Sequence, residues 1–264
     1  MVLEDFHTHT NFSDGKCAPS EMVLSAISKG FLRYGISDHS YTGFDSTWCM
    51  PAEKREEYKK ELRWLQKKFK DQIELYVGIE QDLFAGEPEP GYDYAIAALH
   101  YIKVGDEYIT IDESAETLKK AAQKHFAGDM LLLCEEYYNT LSRFAESKGK
   151  YAFIAHLDLV TKFNENGELF SEEDPRYQAA ARACIDKLLP LGIPFEINTG
   201  AISRGYRKSP YPRLFLAKYI AQNGGKFILS SDAHSPENIG YNFAEAEDLF
   251  AKAGLGGAIT KLEF

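Results

Sequence analysis

The sequence predicts an α/β barrel that forms one domain over residues 1–264. Short apolar or β-branched runs alternate along the chain with longer amphipathic stretches, which indicates parallel strands joined by helical crossovers. The chain contains no glycine-rich dinucleotide fingerprint and no low-complexity linker. A closed barrel of seven or eight units is therefore favoured over an open doubly wound sheet or a two-domain chain.

The predicted strands are the short apolar or β-branched runs. They are Val2–Phe6, Tyr34–Ser37, Glu74–Ile79, Tyr94–Leu99, Tyr151–Ala155, Pro194–Ile197, Lys226–Leu229 and, last, Ala258–Lys261. The predicted helices are Ser20–Lys29, Glu53–Lys70, Ser114–His125, Asp129–Ser147, Asp174–Leu189, Tyr211–Asn223 and Ala244–Ala253. The first of these follows a proline, and the second is strongly charged on one face.

Composition restricts the classes of partner. The formal net charge of −10 argues against membrane-surface and nucleic-acid binding, which depend on basic patches, although bound cations can reverse the local sign of charge. The four cysteines are far apart and form no C-x-x-C pair, as expected of reduced thiols in a cytoplasmic protein. The N-terminal stretch does not resemble a signal peptide, and no apolar run reaches the length of a membrane span.

Histidines are placed unevenly along the chain. Six of the seven lie at the ends of predicted strands, namely His7, His9, His39, His100, His156 and His234. Glu80 and Asp232 end strands in the same way, whereas His125 falls on a predicted helix and is expected to be solvated. Because the carboxyl ends of barrel strands share one face, these side chains are expected to converge on one cavity.

The residue types indicate a metal site. His7 and His9 are two apart, so both point to one side of an extended strand, and Asp232 and His234 repeat this spacing. Nitrogen and carboxylate ligands without thiolates suit zinc, manganese or iron, and the carboxylate of Glu80 can bridge two ions. Each motif alone has an ordinary structural explanation, but their joint occurrence favours a centre of two or three divalent transition-metal ions.

At these residues the chain resembles the PHP superfamily, named for polymerase and histidinol phosphatase. The likeness runs from HTHTNFSDG through GISDHS, YVGIEQD, AALHYI and FIAHLDL to EINTGAISRGYRKSPYP and SSDAH. The last two segments are most similar to the histidinol-phosphate phosphatase branch. The resemblance implies a distorted (β/α)7 TIM-like barrel with up to three metal ions.

The resemblance also implies how the ligands are shared. The first ion would be held by His7, His9, Glu80 and Asp232, the second by Glu80, His100 and His156, and the third by Asp14, His39 and His234. Asp14 lies in FSDG, where some relatives have histidine. Arg204 and Arg207 are expected to contact phosphate, as is Lys162, which follows His156 where relatives often have arginine.

These features predict a phosphoric monoester hydrolase, a histidinol-phosphatase of histidine biosynthesis that acts on a small phosphorylated metabolite. A hydroxide that bridges two ions of a trinuclear centre would attack phosphorus, with Glu80, Asp232 and His234 as the catalytic residues. Three divalent ions outweigh three carboxylates and a hydroxide, which leaves positive charge for a phosphate dianion. The oligomeric state, the residue that recognises the substrate amine and the proton donor to the leaving group are left open.

Three alternatives compete with this interpretation. A PHP phosphoesterase that acts on another small ester or on nucleic-acid ends would use the same metals, but a nuclease needs an aromatic or basic track. An amidohydrolase also begins with His-x-His, yet its bridging ligand is typically a modified lysine. A structural metal protein would be expected to have a closed, cysteine-rich site of four ligands.

Overall fold

The computed structural model describes residues 3–263 and has a seven-stranded parallel sheet as its centre. Its strands, in spatial order, are β1 (Glu4–Asp5), β2 (Arg33–Ile36), β3 (Glu74–Asp82), β4 (Tyr94–Ala98), β7 (Phe153–Ile154), β8 (Phe195–Asn198) and β9 (Phe227–Ser230). A separate antiparallel hairpin is formed by β5 (Tyr101–Val104) and β6 (Glu107–Thr110). Every pair within the large sheet is parallel, which requires a crossover between successive strands.

The two outer strands of the sheet approach each other beyond their ends, which nearly closes the barrel. Thr8 and Ala233 form a parallel bridge, and the backbone N–H of His9 donates to the carbonyl of Ala233 at 2.8 Å. The side chain of Asp5 accepts hydrogen bonds from the backbone and hydroxyl of Ser231. The segments that carry the first and last predicted ligands are therefore held side by side.

Helices cover the outside of the sheet. They are α1 (Pro19–Ser28), α2 (Arg55–Phe69), α3 (Ala115–His125), α4 (Met130–Leu141), α5 (Pro175–Leu188), α6 (Gly200–Ser203), α7 (Leu214–Gln222) and α8 (Phe243–Lys252). Several begin at side chains that accept hydrogen bonds from the first turn: Ser114 caps α3, Asp129 caps α4 and Asp174 caps α5. Such caps satisfy amide groups that have no partner within the helix.

The barrel interior contains aromatic and aliphatic side chains, among them Phe6, Tyr94 and Phe153. The ring of Tyr94 occupies space beside two glycines on neighbouring strands, Gly35 and Gly78, and its hydroxyl donates to the carbonyl of Phe6 at 2.7 Å. A Cβ at either glycine would lie 2.2 Å from an atom of this tyrosine. The glycines are therefore needed for close packing, and the interior is a solid core below the polar layer at the carboxyl end of the strands.

The α/β barrel prediction is confirmed, and all seven strands of the large sheet were predicted. Residue Val2 of the first predicted strand lies outside the described residues. The predicted strand Ala258–Lys261 is wrong: Gly256–Ala258 is a 3-10 turn, and only Ile259 bridges to Phe227. The sequence prediction also missed the β5–β6 hairpin. No helix within residues 3–263 has the length and apolarity to span a bilayer.

Candidate metal centre

The nine residues predicted as ligands lie together at the carboxyl end of the parallel sheet. Glu80 is at the middle of the group, near the end of β3, with its side chain fully buried. Its Oε1 atom faces three imidazoles, lying 3.0 Å from Nε2 of His156, 3.2 Å from Nε2 of His7 and 3.3 Å from Nε2 of His100. The three imidazoles come from the ends of three different strands and surround the same oxygen of Glu80.

The other oxygen of Glu80 faces a different pair of histidines. Oε2 lies 2.7 Å from Nδ1 of His39 and 3.6 Å from Nε2 of His9. The rings of these two histidines are stacked, with centroids 4.3 Å apart. Because its two oxygens face two different sets of imidazoles, the carboxylate has the position that a bridging ligand needs.

Asp14 lies at the outer edge of the same group. Its Oδ2 is 3.1 Å from Nε2 of His234, and its Oδ1 is 3.6 Å from Nε2 of His39 and 3.9 Å from Nδ1 of His9. Asp14 and His234 are partly exposed at this edge, whereas His9 is buried. This carboxylate therefore closes the group on the side that meets solvent.

Asp232 approaches the centre from the last strand. Its Oδ1 lies 3.3 Å from Nε2 of His9 and 4.0 Å from Nε2 of His7. The backbone of Asp232 has a φ of 49°, in the left-handed region that residues other than glycine rarely adopt. Strain of this kind is concentrated at functional sites, and here it accompanies a turn that leaves both Asp232 and His234 at the centre.

Four overlapping groups of these side chains have ligand atoms close enough to share an ion. They are His9, Asp14, His39 and His234; His7, Glu80 and His156; His7, His9 and Asp232; and His39, Glu80 and His100. The first contains the predicted third set together with His9. The other groups also place His7 with His156 and His39 with His100. The prediction had assigned the two members of each pair to different ions, so the residues around Glu80 are grouped differently from the predicted sets.

The donor set fits divalent transition metals by its chemistry. Both ring nitrogens of His9 and Nε2 of His7 are buried without a hydrogen-bond partner among the described residues, which is unusual for polar atoms. Burial lowers the pKa of His9 to about 3, so the ring is neutral. Burial alone would raise the pKa of Glu80, but the charges of His39 and His7 lower it well below its usual range. The forms that bind metal are ionised carboxylate and neutral imidazole, so metal binding at His39 and His7 would release the protons whose charge holds the pKa of Glu80 low.

Glu196, on β8, was not predicted as a site residue. It is fully buried, and its carboxylate lies 2.6 Å from Nδ1 of His7 and accepts from the backbone N–H of His156 at 2.7 Å and the side chain of Asn198 at 3.0 Å. A carboxylate accepts hydrogen bonds, so Nδ1 of His7 carries the hydrogen and Nε2 is free to face Glu80. Glu196 therefore orients one imidazole and the backbone beside another.

Two further buried carboxylates were also missed. Asp82 lies 3.3 Å from Nδ1 of His100 and accepts from that residue's backbone N–H at 3.0 Å. Asp38 accepts from the backbone and hydroxyl of Thr10 at 2.8 and 2.7 Å and also accepts from Ser13, the residue before Asp14. Both acids lie within segments already singled out, GISDHS and VGIEQD, one and two residues from a predicted ligand, and this closeness is only a weak signal.

The cationic residues predicted to contact phosphate lie in different environments. Arg204 is at the centre, where its guanidinium donates to the carboxylate and the carbonyl of Asp232, both at 2.9 Å, while 26% of its side chain remains exposed. Lys162 also lines the cavity, and its ammonium donates to the carbonyl of Asp112 at 2.8 Å. Both side chains can thus be approached from the cavity.

Arg207 does not reach the cavity. Its side chain is fully enclosed, 3.7 Å from the carboxylate of Asp158, in hydrogen-bond contact with the hydroxyl of Thr161 and over the ring of Tyr211. The structure thus separates two arginines that the sequence prediction treated alike. His125, which was expected to be solvated, is partly buried on α3, lies 3.0 Å from Glu107 and is not one of the clustered ligands.

A cavity of about 360 Å³ opens above the centre. Seven of the nine candidate ligands line it together with Arg204, Lys162, Leu159 and Tyr206. The rest of the lining consists of Asp45, Thr47, Trp48, Thr110, Asp112 and Glu113. A small molecule can therefore reach the centre directly.

Comparison with known proteins gives a family match and full-length relatives. Residues 5–200 match the PHP domain family. The probable histidinol-phosphatase of Deinococcus radiodurans is 29% identical over 258 residues, which covers 92% of this chain and 91% of that protein.

Two solved structures share the fold. A crystal structure from Listeria monocytogenes superimposes with a TM-score of 0.79 at 21% identity, covering 92% of this chain and 99% of that one. The histidinol phosphate phosphatase of Lactococcus lactis, solved with zinc, L-histidinol and phosphate, gives a TM-score of 0.69 at 20% identity, covering 96% and 94% of the two chains.

Proposed function

The chain belongs to the PHP domain family, and we propose that it is a metal-dependent phosphatase that hydrolyses L-histidinol phosphate to L-histidinol and phosphate. The observation that carries the proposal is Glu80, whose two oxygens face two sets of imidazoles at the floor of an open cavity. The name of the Deinococcus radiodurans relative and the ligands of the Lactococcus lactis structure support the choice of substrate. The proposal takes residues 1–264 as one PHP-type domain in the cytoplasm.

In this proposal the nine candidate ligands hold two to three divalent ions, for which zinc, manganese and iron fit the donor set. The ions supply a water of lowered pKa and positive charge for the phosphate. The chain's own contribution begins with Glu80, Asp232 and Asp14, which supply the negative charge of the ligand set from three different segments. Glu196 holds the hydrogen of His7 on Nδ1, away from the centre.

The phosphoryl group also needs contacts from the protein. Arg204 is fixed by Asp232 at the edge of the ligand group and keeps part of its guanidinium facing the cavity. A guanidinium held in place binds phosphate oxygens with little further loss of side-chain freedom. Lys162 lies on the cavity wall and adds a second positive charge. These two residues are proposed to orient the ester.

The test combines metal analysis with a substrate panel. Purified protein is expected to contain two to three transition-metal ions per chain, to lose activity in chelator and to regain it with zinc or manganese. Histidinol phosphate is expected to have a higher kcat/KM than other phosphorylated metabolites, an aryl phosphate and nucleic-acid ends. Full activity in strong chelator would contradict the metal mechanism, and equal rates on all small esters would contradict the assigned substrate.

A further inference from the structure

Asp14 differs from the other eight candidate ligands because it lies in a turn and not at, or just beyond, the end of a strand. The chain folds back tightly here: the carbonyl of Thr10 accepts from the backbone N–H groups of Ser13 at 3.1 Å and Gly15 at 2.9 Å. A Cβ at Gly15 would lie 2.6 Å from backbone atoms of both His9 and Thr10. The turn is therefore compact, and the position of Asp14 depends on how the whole turn is attached to the barrel.

Asp38 attaches this turn to the barrel by its side chain. It lies two residues beyond β2, directly before His39, and is fully buried. One of its oxygens accepts from the backbone N–H groups of Thr10 at 2.8 Å and Ser13 at 3.2 Å and from the hydroxyl of Ser13. The other accepts from the hydroxyl of Thr10 at 2.7 Å. A carboxylate has about four acceptor positions, so the turn that carries Asp14 uses all of them.

The two segments that Asp38 joins contribute to one set of side chains, here called the outer ligand group. It consists of His9, Asp14, His39 and His234. Two of its histidines are placed by backbone pairing: His39 forms a bridge with Glu80, and the N–H of His9 donates to the carbonyl of Ala233 at 2.8 Å. Asp14 has no such pairing, although its Oδ1 lies 3.6 Å from Nε2 of His39. Its place in the group therefore depends on the contacts of the turn.

The turn has two further attachments, which limit what the loss of Asp38 can do. The backbone N–H of Lys16 donates to the carbonyl of His234 at 2.8 Å, and the ring of Phe12 stands edge-to-face against Tyr58 with centroids 5.3 Å apart. Neither contact involves Asp38, so both remain when its side chain is removed. An apolar ring contact and one backbone bond keep the turn folded on the barrel but do not fix the direction of a carboxylate. Loss of Asp38 is therefore expected to displace Asp14 without unfolding the chain.

We propose that Asp38 is a positioning residue for the ion that the outer ligand group would hold, because it fixes the turn so that Asp14 faces His39 and His234. The inference rests on the proposed function, since it assumes that this group binds a divalent ion. It adds that a side chain outside the ligand set controls the affinity of this one group. The groups that contain His7, His100 and His156 are expected to keep their affinity.

The test is a double-mutant cycle on zinc binding with Asp38→Ala, Asp14→Ala and the double variant, in which equilibrium dialysis counts bound zinc per chain. Removing a group that supports a metal ligand typically lowers affinity about ten- to a hundredfold, so Asp38→Ala should weaken one zinc ion by that factor and leave the others within about twofold. In the Asp14→Ala background the same change should have almost no further effect, because the ligand that Asp38 positions is already gone.

Two further variants separate position from charge and from general stability. Asp38→Asn keeps the shape: its carbonyl can accept from both backbone N–H groups and its amide can donate to the threonine hydroxyl, so zinc binding should stay close to wild type. Asp93→Ala is the control for the fold. Asp93 is only partly buried, but it also accepts several hydrogen bonds, from the backbone of Val77 and the side chains of Gln66 and Arg63, and it lies before β4 at the opposite end of the barrel. This variant should bind zinc as wild type does.

A variant that fails to fold has a substitute. If circular dichroism shows that Asp38→Ala is unfolded, Thr10→Val takes its place in the cycle, because it removes only the hydroxyl that donates to Asp38 at 2.7 Å. It should weaken the same zinc ion, and again only when Asp14 is present.

Several outcomes would overturn the inference. Unchanged zinc binding in Asp38→Ala, or a full further loss in the Asp14→Ala background, would show that Asp38 does not act through Asp14. Equal losses in Asp38→Asn and Asp38→Ala would assign the effect to charge and not to position. Weakening of all the ions together, or in Asp93→Ala as well, would indicate lower stability of the whole chain. These outcomes leave the proposed function intact, whereas a wild type that binds no zinc, manganese or iron would contradict both.

Discussion

Replacing Glu196 with glutamine is expected to weaken metal binding while leaving the fold intact. Its carboxylate accepts from Nδ1 of His7, the backbone of His156 and the side chain of Asn198. Glutamine has the same shape, and its one carbonyl oxygen can keep the contacts to His156 and Asn198. Its amide NH₂ would then face Nδ1 of His7. Two N–H donors would repel each other there, unless the hydrogen of His7 moves to Nε2, the atom that faces Glu80.

The size of the effect follows from the bond that is lost. The contact between Glu196 and His7 is 2.6 Å long and fully buried, as expected of a charge-assisted hydrogen bond. Such a bond contributes about 1.5–3 kcal/mol. With about 1.4 kcal/mol for each tenfold change, zinc affinity should fall roughly ten- to a hundredfold. Carboxylates behind metal-binding histidines in other proteins have effects of about the same order.

The assay is competition for zinc against a chelating indicator, with circular dichroism to verify the fold. Glu4→Gln is the control. Glu4 is another hydrogen-bonded acid, although it is only partly buried: it accepts from Arg33 at 2.7 Å and from the backbone of Leu262 at 3.0 Å, at the opposite end of the barrel. Unchanged zinc affinity in Glu196→Gln would refute the orienting role. Equal weakening in both variants would show a general loss of stability instead.

Three further outcomes are expected. Glu80→Gln should lower turnover more than His234→Ala at matched metal loading, because the glutamate faces two sets of imidazoles and the histidine lies at the edge; equal or reversed losses would contradict a bridging role. Arg204→Ala should raise KM more than it lowers kcat. Arg207→Ala should lower the free energy of unfolding by about 3–5 kcal/mol, because it leaves the buried carboxylate of Asp158 without its cationic partner. A higher KM in Arg207→Ala at unchanged stability would restore its predicted phosphate contact. Gly78→Ala should cost about 1–3 kcal/mol in urea unfolding, since its Cβ would overlap the tyrosine ring inside the barrel, and a neutral result would mean that the ring moves aside easily.

The ends of the strands could be predicted because the same pattern, a histidine after an apolar run, marks both a candidate ligand and the end of a strand. Histidine is scarce in this chain, so six of them at the ends of apolar runs stand out, and each run is a strand or leads directly out of one. Carboxylates are common, with 40 Asp and Glu residues, so Glu196 and Asp82 have no comparable signal. Their roles depend on which strand lies beside which, and that order is a property of the tertiary structure.

Other differences have local causes. The β5–β6 hairpin does have a sequence signal, because two alternating runs are separated by Gly105 and Asp106, a two-residue turn with a glycine φ of 63°. It was missed because helices were expected between strands.

Arg204 and Arg207 could not be told apart from the sequence. The short helix α6 and the turn at Gly205 decide which arginine reaches the centre, and the residues of that helix and turn have no periodic pattern.

The centre itself concentrates negative charge. Glu80, Asp232 and Asp14 face the histidines, and further carboxylates such as Glu196 and Asp82 lie behind them and hold the rings in place. Without cations this concentration of negative charge would exclude a phosphate dianion, so an anionic substrate requires several divalent ions rather than one. The carboxylates of the centre and the anionic substrate proposed for it are therefore compatible only when divalent ions are bound between them.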